Sequence, residues 1–465
     1  MSSVAIVGGG IAGLAAATAL AASGHKVALF ERKPYLGGRA SSYEHPATGE
    51  TVDNCQHVLL GCCTNLIDFY SRIGSANDVR WFNTLTFITP DGVRSELRPG
   101  GLPAPLHSSA SFLKARFLSP TDKFAIARAL ATMMPAPLDD VGGSFLDWLK
   151  HNGQTEQAIR RFWEPVLVSA LNEDLDRVSV KYASLVFRDS FLKSPSAGAM
   201  GVPSVPLTEL YSRAADFIRN NGGEVHLRTS VENFRLEGER VTLDLGLSAT
   251  SETFIADDLI VATPWHATAK LLERSNVAEK TRDLIAALAS IESSPITGVH
   301  LWFDRTITDL PHAVLLDRTI QWMFHKSMLQ PQRSDQGSYV EVVVSASKLL
   351  VSRSRQEIID IAMGELAEFF PAVREAKLRK ATVVKELHAT YSVLPSGDKL
   401  RPAQATTVPH LFLAGDWTRT EWPATMEGAV RSGYLAAEAV TRSRGDAQRF
   451  LVRDLPARGF MQLFR

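Results

Sequence analysis

The first thirty residues constrain the fold more than any other stretch. Val4-Ala5-Ile6-Val7 is an apolar run of strand length, and Gly8, Gly10 and Gly13 follow in G-x-G-x-x-G spacing. An Ala/Leu-rich helical stretch runs from Ile11, Gly24 turns the chain, and a second apolar run, Val27-Ala28-Leu29-Phe30, ends on Glu31. The first glycine makes a tight turn, the second lets backbone approach a pyrophosphate, and the third lets helix pack on strand. The helix start, with Ile11 and Ala12 in its first turn, offers N–H groups and partial positive charge to phosphates. Glu31, 18 residues past Gly13, is placed to accept from a ribose 2′-OH and disfavours a 2′-phosphate. The unit predicts a dinucleotide site in a parallel α/β sheet and speaks against NADP.

Two further motifs select among the remaining dinucleotides. Pro34-Tyr35-Leu36-Gly37-Gly38-Arg39 follows the second strand, with Arg32 just upstream. It gives a flexible loop with a bidentate phosphate donor. A plain NAD dehydrogenase has no need of that loop, whereas FAD runs on past its pyrophosphate. Near the other end, His410-Leu411-Phe412-Leu413 reads as a buried strand closed by Gly415-Asp416. A helix starting near Thr425-Met426 follows it. An acid at the carboxyl end of a strand faces the cofactor crevice and can bind a ribityl hydroxyl.

Between these ends the same domain returns once more, through a helix opened by Val205-Pro206-Leu207-Thr208-Glu209-Leu210 and running to about 221, a strand at 224–227, a hairpin over 234–245 and a buried strand at 258–264. The chain therefore reads as a Rossmann-like α/β FAD-binding domain assembled from 1–75, 201–265 and 391–441. Segments 76–200 and 266–390 form an inserted α+β substrate domain, and 442–465 is a basic, apolar tail. The first insertion looks largely helical. The second carries strand-like runs at 297–303 and 339–344 and a helix at about 354–370, so a small sheet with a helical cap is expected over the reactive end of the cofactor. Length of 465 residues suits two or three domains, and fifty basic against fifty acidic residues give no sign of nucleic-acid binding. No apolar stretch of spanning length occurs. Cys55, Cys62 and Cys63 lack metal-site spacing and read as free thiols of a reducing cytoplasm.

With these segments in hand, the chain resembles the flavin amine oxidase and phytoene desaturase superfamily. Asp53-Asn54-Cys55-Gln56-His57-Val58-Leu59-Leu60-Gly61, supported by Trp81-Phe82 and Leu85-Thr86-Phe87, resembles the hydroxysqualene dehydroxylases of hopanoid biosynthesis. Many relatives have Gly where Cys55 stands. The resemblance implies Gly8, Gly10 and Gly13 at the pyrophosphate, Glu31 at the adenosine ribose and Arg39 with Gly38 at the phosphates near the flavin. It also implies backbone of Val231 at adenine, Asp416 with Gly415 at ribitol or pyrophosphate, and the helix after Met426 aimed at the flavin. The implied reaction is reductive removal of the hydroxyl of a C30 isoprenoid, hydroxysqualene, to give squalene. Asp53 and His57 are the candidate proton donor or relay.

Such a reaction draws electrons from a reductase or from NAD(P)H, since no second G-x-G-x-x-G occurs. A substrate this apolar also suggests peripheral attachment to the cytoplasmic face of a membrane through 112–118 and the tail. Oxidation of a polyene or an amine is the first alternative, with Trp417, Trp422 and Lys385 as candidates for an amine oxidase's aromatic cage and lysine. A non-catalytic escort for isoprenoid lipids is the second.

Overall fold

A computed structural model describes every residue except 1, 47, 141, 248–249, 331–336 and 465. Five parallel strands form its first sheet, in the order Glu224–Leu227, Lys26–Glu31, Ser3–Val7, Asp258–Val261, Leu411–Leu413. Ile6 stands opposite Leu29 on one side and Ile260 on the other, and Ile260 opposite Phe412. Alternate residues serve two cores. Val4, Ile6, Val27, Leu29, Ile260 and Phe412 pack into a helical layer. Ala5, Val7, Ala28, Phe30, Leu259 and Val261 pack on the other face. With both faces covered, each strand is an almost unbroken apolar run.

Helices Ile11–Ala22, Leu207–Asn220 and Met426–Ser443 supply the helical layer. The first is buried from Ile11 to Ala21, which is why its composition is apolar all round. It meets the last helix at van der Waals distance: a Cβ on Gly433 would lie 2.3 Å from the Ala12 carbonyl oxygen. The expected hairpin is a three-stranded antiparallel meander, Ser230–Glu237, Arg240–Leu247 and Thr250–Ala256. Its register shifts between Val231 and Asn233, leaving a bulge at Glu232.

The inserted segments depart from expectation. The first is helical only after its opening third, because Val79–Phe82, Leu85–Ile88 and Arg94–Leu97 are strands. Two of these extend the sheet of the second insertion, so that sheet is not small. It has seven strands, in the order Leu378–Tyr391, Ser293–Phe303, Ser338–Ser345, Trp322–His325, His312–Leu315, Leu85–Ile88, Arg94–Leu97. Helix Arg355–Phe369 packs on it through Ile358, Ala362 and Leu366. The helices of the first insertion gather around Phe145, Phe162, Trp163 and Phe187.

Part of the tail is fastened to the body. Phe450 and Leu451 donate backbone N–H groups to Glu438, Val452 donates to Asn65, and Phe460 donates to the Ala104 carbonyl. Among the described residues no helix is long and apolar enough to cross a membrane.

Candidate active site

A cavity of about 960 Å³ runs from the glycine turn to the inserted domain. Its wall includes Gly8, Gly10, Ile11, Ala12, Glu31, Arg32, Gly38, Arg39, Val231, Gly415, Asp416 and Met426. Gly13 lies behind that wall, where a Cβ would come 2.0 Å from the Gly8 carbonyl oxygen. It therefore sets how closely turn and helix approach. No side chain caps the Ile11–Ala22 helix, so the N–H groups of its first turn remain for a ligand's phosphates. Gly38, at φ +65°, lies across from Gly10, and Gly37 donates its N–H to the Gly9 carbonyl at 2.9 Å, closing the two glycine loops on each other.

Glu31 carries a structural duty that the sequence does not reveal. One oxygen accepts from Gly9 N–H at 2.7 Å and the other from Lys33 N–H at 2.8 Å. The carboxylate thus holds the glycine turn in shape and retains lone pairs for a ribose hydroxyl. Arg39 and Asp416 meet each other. The guanidinium reaches Asp416 Oδ1 at 2.5 Å and the Ala389 carbonyl at 2.9 Å, which leaves a phosphate the remaining N–H groups only. Arg32 is exposed at the cavity's edge, and the bulge beside Val231 interrupts the strand ladder there. Thr425 caps the last helix through Gly428 N–H at 3.1 Å, and the helix start with Met426 faces the cavity.

Residues 54–57 form the wall near the inserted domain. Asn54 Oδ1 is buried with no hydrogen-bond partner among the described residues. His57 lines the cavity, with Nδ1 2.8 Å from the Cys55 carbonyl. A carbonyl can only accept, so Nδ1 carries the proton and Nε2 is the acceptor of the neutral ring. Burial lowers the ring's pKa below 6.5, against the hydrogen bond to Cys55 and the nearby Asp53, which raise it. In this state Nε2 of His57 can accept a proton, which suits the relay half of its expected role as proton donor or relay better than the donor half.

Asp53 is corrected further, because it does not line the cavity. Its carboxylate accepts from Lys326 Nζ at 2.6 Å, Ser42 Oγ at 2.5 Å and Leu207 N–H at 3.2 Å. It is a bracing group. Lys326 and Glu341, both fully buried, complete the brace. Lys326 Nζ also donates to Gln56 Oε1 at 2.8 Å, and Gln56 N–H donates to Glu341 Oε1 at 2.5 Å. Burial raises Glu341 to about 7, with Lys326 pulling the other way. Neither residue belongs to a sequence motif, and the one local signal is an acid inside the buried run Tyr339–Val344, which requires a partner buried with it.

The amine-oxidase candidates do not assemble. Trp417 and Trp422 line the cavity, but Lys385 donates to the carbonyls of Val351 and Arg353 and is no part of its wall. Trp417 donates its indole N–H to the Thr263 carbonyl at 3.1 Å, and Trp422 stacks under Arg431. The three cysteines are free, and among the described residues no cluster has the composition of a metal site.

The parallel sheet, the uncapped glycine turn and a cavity that continues past the phosphate-binding loops define a flavoprotein oxidoreductase. The profile of the family "Flavin containing amine oxidoreductase" matches residues 11–441, and the chain belongs to that family and depends on FAD. Its relatives include a probable zeta-carotene desaturase of Synechococcus elongatus, 28% identical over 96% of this chain and 99% of that protein. A 15-cis-phytoene desaturase of the same organism is 27% identical over 96% and 97%. Among solved structures, an oxidoreductase from Methanosarcina mazei superposes with a TM-score of 0.72 at 19% identity, over 95% of this chain and all of that one. Cyclohexylamine oxidase from Brevibacterium oxydans gives 0.69 at 17% identity, over 96% and 99%. These last two share the fold. Family membership sets aside the non-catalytic escort.

Proposed function

We propose that this flavoenzyme acts on a long acyclic isoprenoid. One observation carries the reading: beyond the cofactor-binding residues the cavity wall includes the bulky apolar side chains of Leu85, Phe87, Leu185, Phe191, Val314 and Trp322, with Ser169, Asn172, Asp189 and Ser190 among them, which suits a long chain that is mostly hydrocarbon. Lys385, the lysine expected of an amine oxidase, is bonded to the carbonyls of Val351 and Arg353 away from that wall. Held by the glycine turn, Glu31, Arg39 and Asp416, FAD would supply the hydride chemistry. The chain's own work is to hold the isoprenoid extended, exclude water and manage one proton.

Polyene desaturation is the first form of the reaction. Both curated relatives described above are carotene-pathway desaturases by name, and removing hydrogen across a C–C bond releases a proton that a neutral His57 can take. Dehydroxylation of hydroxysqualene to squalene is the second. It is favoured by the Asp53–Gly61 segment that resembles the dehydroxylases and by the place of its residues 54–60 in the cavity wall. That reaction consumes two electrons and two protons, releases water, and requires a reductase or NAD(P)H as donor.

Two anaerobic incubations test the proposal, one of oxidised holoenzyme with phytoene and zeta-carotene, the other of dithionite-reduced holoenzyme with hydroxysqualene. A polyene with one more double bond supports desaturation, and squalene supports dehydroxylation. Failure of both sinks the isoprenoid reading.

A further inference from the structure

We infer that the surface made by residues 98–124 and 459–463 docks on an anionic phospholipid bilayer, above the apolar end of the cavity. The proposal rests on the isoprenoid reading for its purpose but on separate observations for its evidence.

The first observation is exposed apolar surface drawn from two distant parts of the chain. Leu113 is 66% exposed, Phe124 72% and Leu463 79%, with Leu102, Leu106 and Phe460 also exposed. Contacts join these pieces into one face. Phe460 N–H donates to the Ala104 carbonyl at 2.8 Å, the turn at Leu106–Ser108 runs into helix Ser109–Lys114, and Lys123 Nζ donates to the Leu113 carbonyl at 2.8 Å.

The second is charge. A protein with equal numbers of acids and bases concentrates Arg98, Lys114, Arg116, Lys123 and Arg128 here, and the one acid of 98–128, Asp122, is buried in a helix cap. Lys123 and Arg128 bond to backbone carbonyls rather than to carboxylates. Bulky apolar side chains interleaved with cations match a bilayer whose headgroups are anionic. A folded partner's apolar patch would not ask for that density of unopposed charge.

The third is what lies beneath. Phe117, on the buried side of this segment, stacks on Phe87 of the cavity wall with ring centroids 5.0 Å apart. Phe112 packs edge-on against Phe162, which stacks on Phe187, next to Phe191 of the wall. The face therefore covers the apolar half of the cavity through two layers of aromatic rings. A bilayer docked on this face would lie next to the apolar half of the cavity, separated from it by those rings.

The tail contributes less than its composition suggests. Phe450, Leu451 and Val452 are pinned to the body, and only Phe460 and Leu463 add exposed apolar surface.

Co-sedimentation of full-length holoenzyme with vesicles tests this without any substrate. Binding to phosphatidylcholine vesicles containing phosphatidylglycerol should exceed binding to pure phosphatidylcholine. Each of Lys114→Gln and Arg116→Gln should weaken it about fivefold, and Leu113→Ser with Phe124→Ser about tenfold or more. Leu349→Ser is the control. Leu349 is 87% exposed, but its neighbour Lys348 is held by Glu173 and Asp174, and its loss should leave binding unchanged. Retained flavin absorbance shows that each variant is folded. Equal binding to neutral vesicles, or undiminished binding by the Leu113/Phe124 variant, overturns the proposal. So does a dimer in gel filtration that the same substitutions abolish. Vesicle binding with no turnover of any isoprenoid would overturn the substrate reading and leave the surface in place.

Discussion

His57 owes its protonation state to its own loop. The Cys55 carbonyl fixes the Nδ1 proton, and burial keeps the ring neutral, so Nε2 can accept a proton but has none to give. Protonating Nε2 abolishes that capacity, so kcat/KM should fall as pH drops through an acidic limb centred below 6.5. His57→Gln should remove the limb and slow turnover on the order of a hundredfold or more; the pH profile of both enzymes checks this. A comparable argument applies to Gly13. A Cβ 2.0 Å from the Gly8 carbonyl must push the turn off the helix, so Gly13→Ala should purify with little or no flavin absorbance. These two residues differ in how readable they are. The glycine turn is legible because about thirty contiguous residues encode strand, turn, helix and acid together. Asp53 and His57 are both candidates for proton donor or relay because their shared segment is expected to run close to the cofactor, and only His57 reaches the cavity. The partner of Asp53, Lys326, lies 273 residues away, beyond the reach of any local pattern.

At the scale of elements, the tightest junction joins the first helix to the last. With 2.3 Å between a Cβ built on Gly433 and the Ala12 carbonyl oxygen, Gly433→Leu cannot be absorbed by a rotamer change, since the clash begins at Cβ itself. The variant should be destabilised by about 3 kcal/mol or more, measured as a lower urea midpoint with the slope unchanged. Long amphipathic or uniformly apolar helices such as Leu207–Asn220 and Ile11–Ala22 were evident from their patterns. Leu85–Ile88 and Arg94–Leu97 were not. Each has four residues, too few for an alternation to stand out. The parallel partner of Leu85–Ile88 is His312–Leu315 from the other insertion, so tertiary pairing rather than local propensity decides their state.

Across the whole molecule, a buried ion cluster ties the two domains together. Asp53 ends the strand Thr51–Asp53, Lys326 opens the short helix Lys326–Leu329 that follows Trp322–His325, Glu341 belongs to the strand Ser338–Ser345 of the seven-stranded sheet, and Leu207 N–H joins them from a third segment. Lys326→Met leaves buried carboxylates without their cation and should cost about 3–5 kcal/mol, read by chemical denaturation. Glu341 gives a pH signature. Its folded value of about 7 exceeds the ordinary 4.5, so the native state keeps a proton that the unfolded chain releases. Stability should therefore fall as pH rises from about 4.5 to 7. Glu341→Gln stays neutral throughout and should lack that slope, a difference on the order of 3 kcal/mol across the window, seen by comparing urea midpoints at pH 5 and pH 8.

The interleaved chain path has a consequence for synthesis. Ser3–Val7 is made well before its neighbour in the sheet, Asp258–Val261, which follows some 250 residues later, with Leu411–Leu413 later still. During translation the strand that carries the glycine turn has only Lys26–Glu31 beside it and an open edge on the other side. That edge is a site for mispairing until the middle of the chain arrives. Arg39 likewise waits for Asp416. Flavin capture is thus a terminal event in biogenesis. Cofactor supply will set the yield of mature protein by trapping the finished fold, and cannot guide the nascent chain toward it.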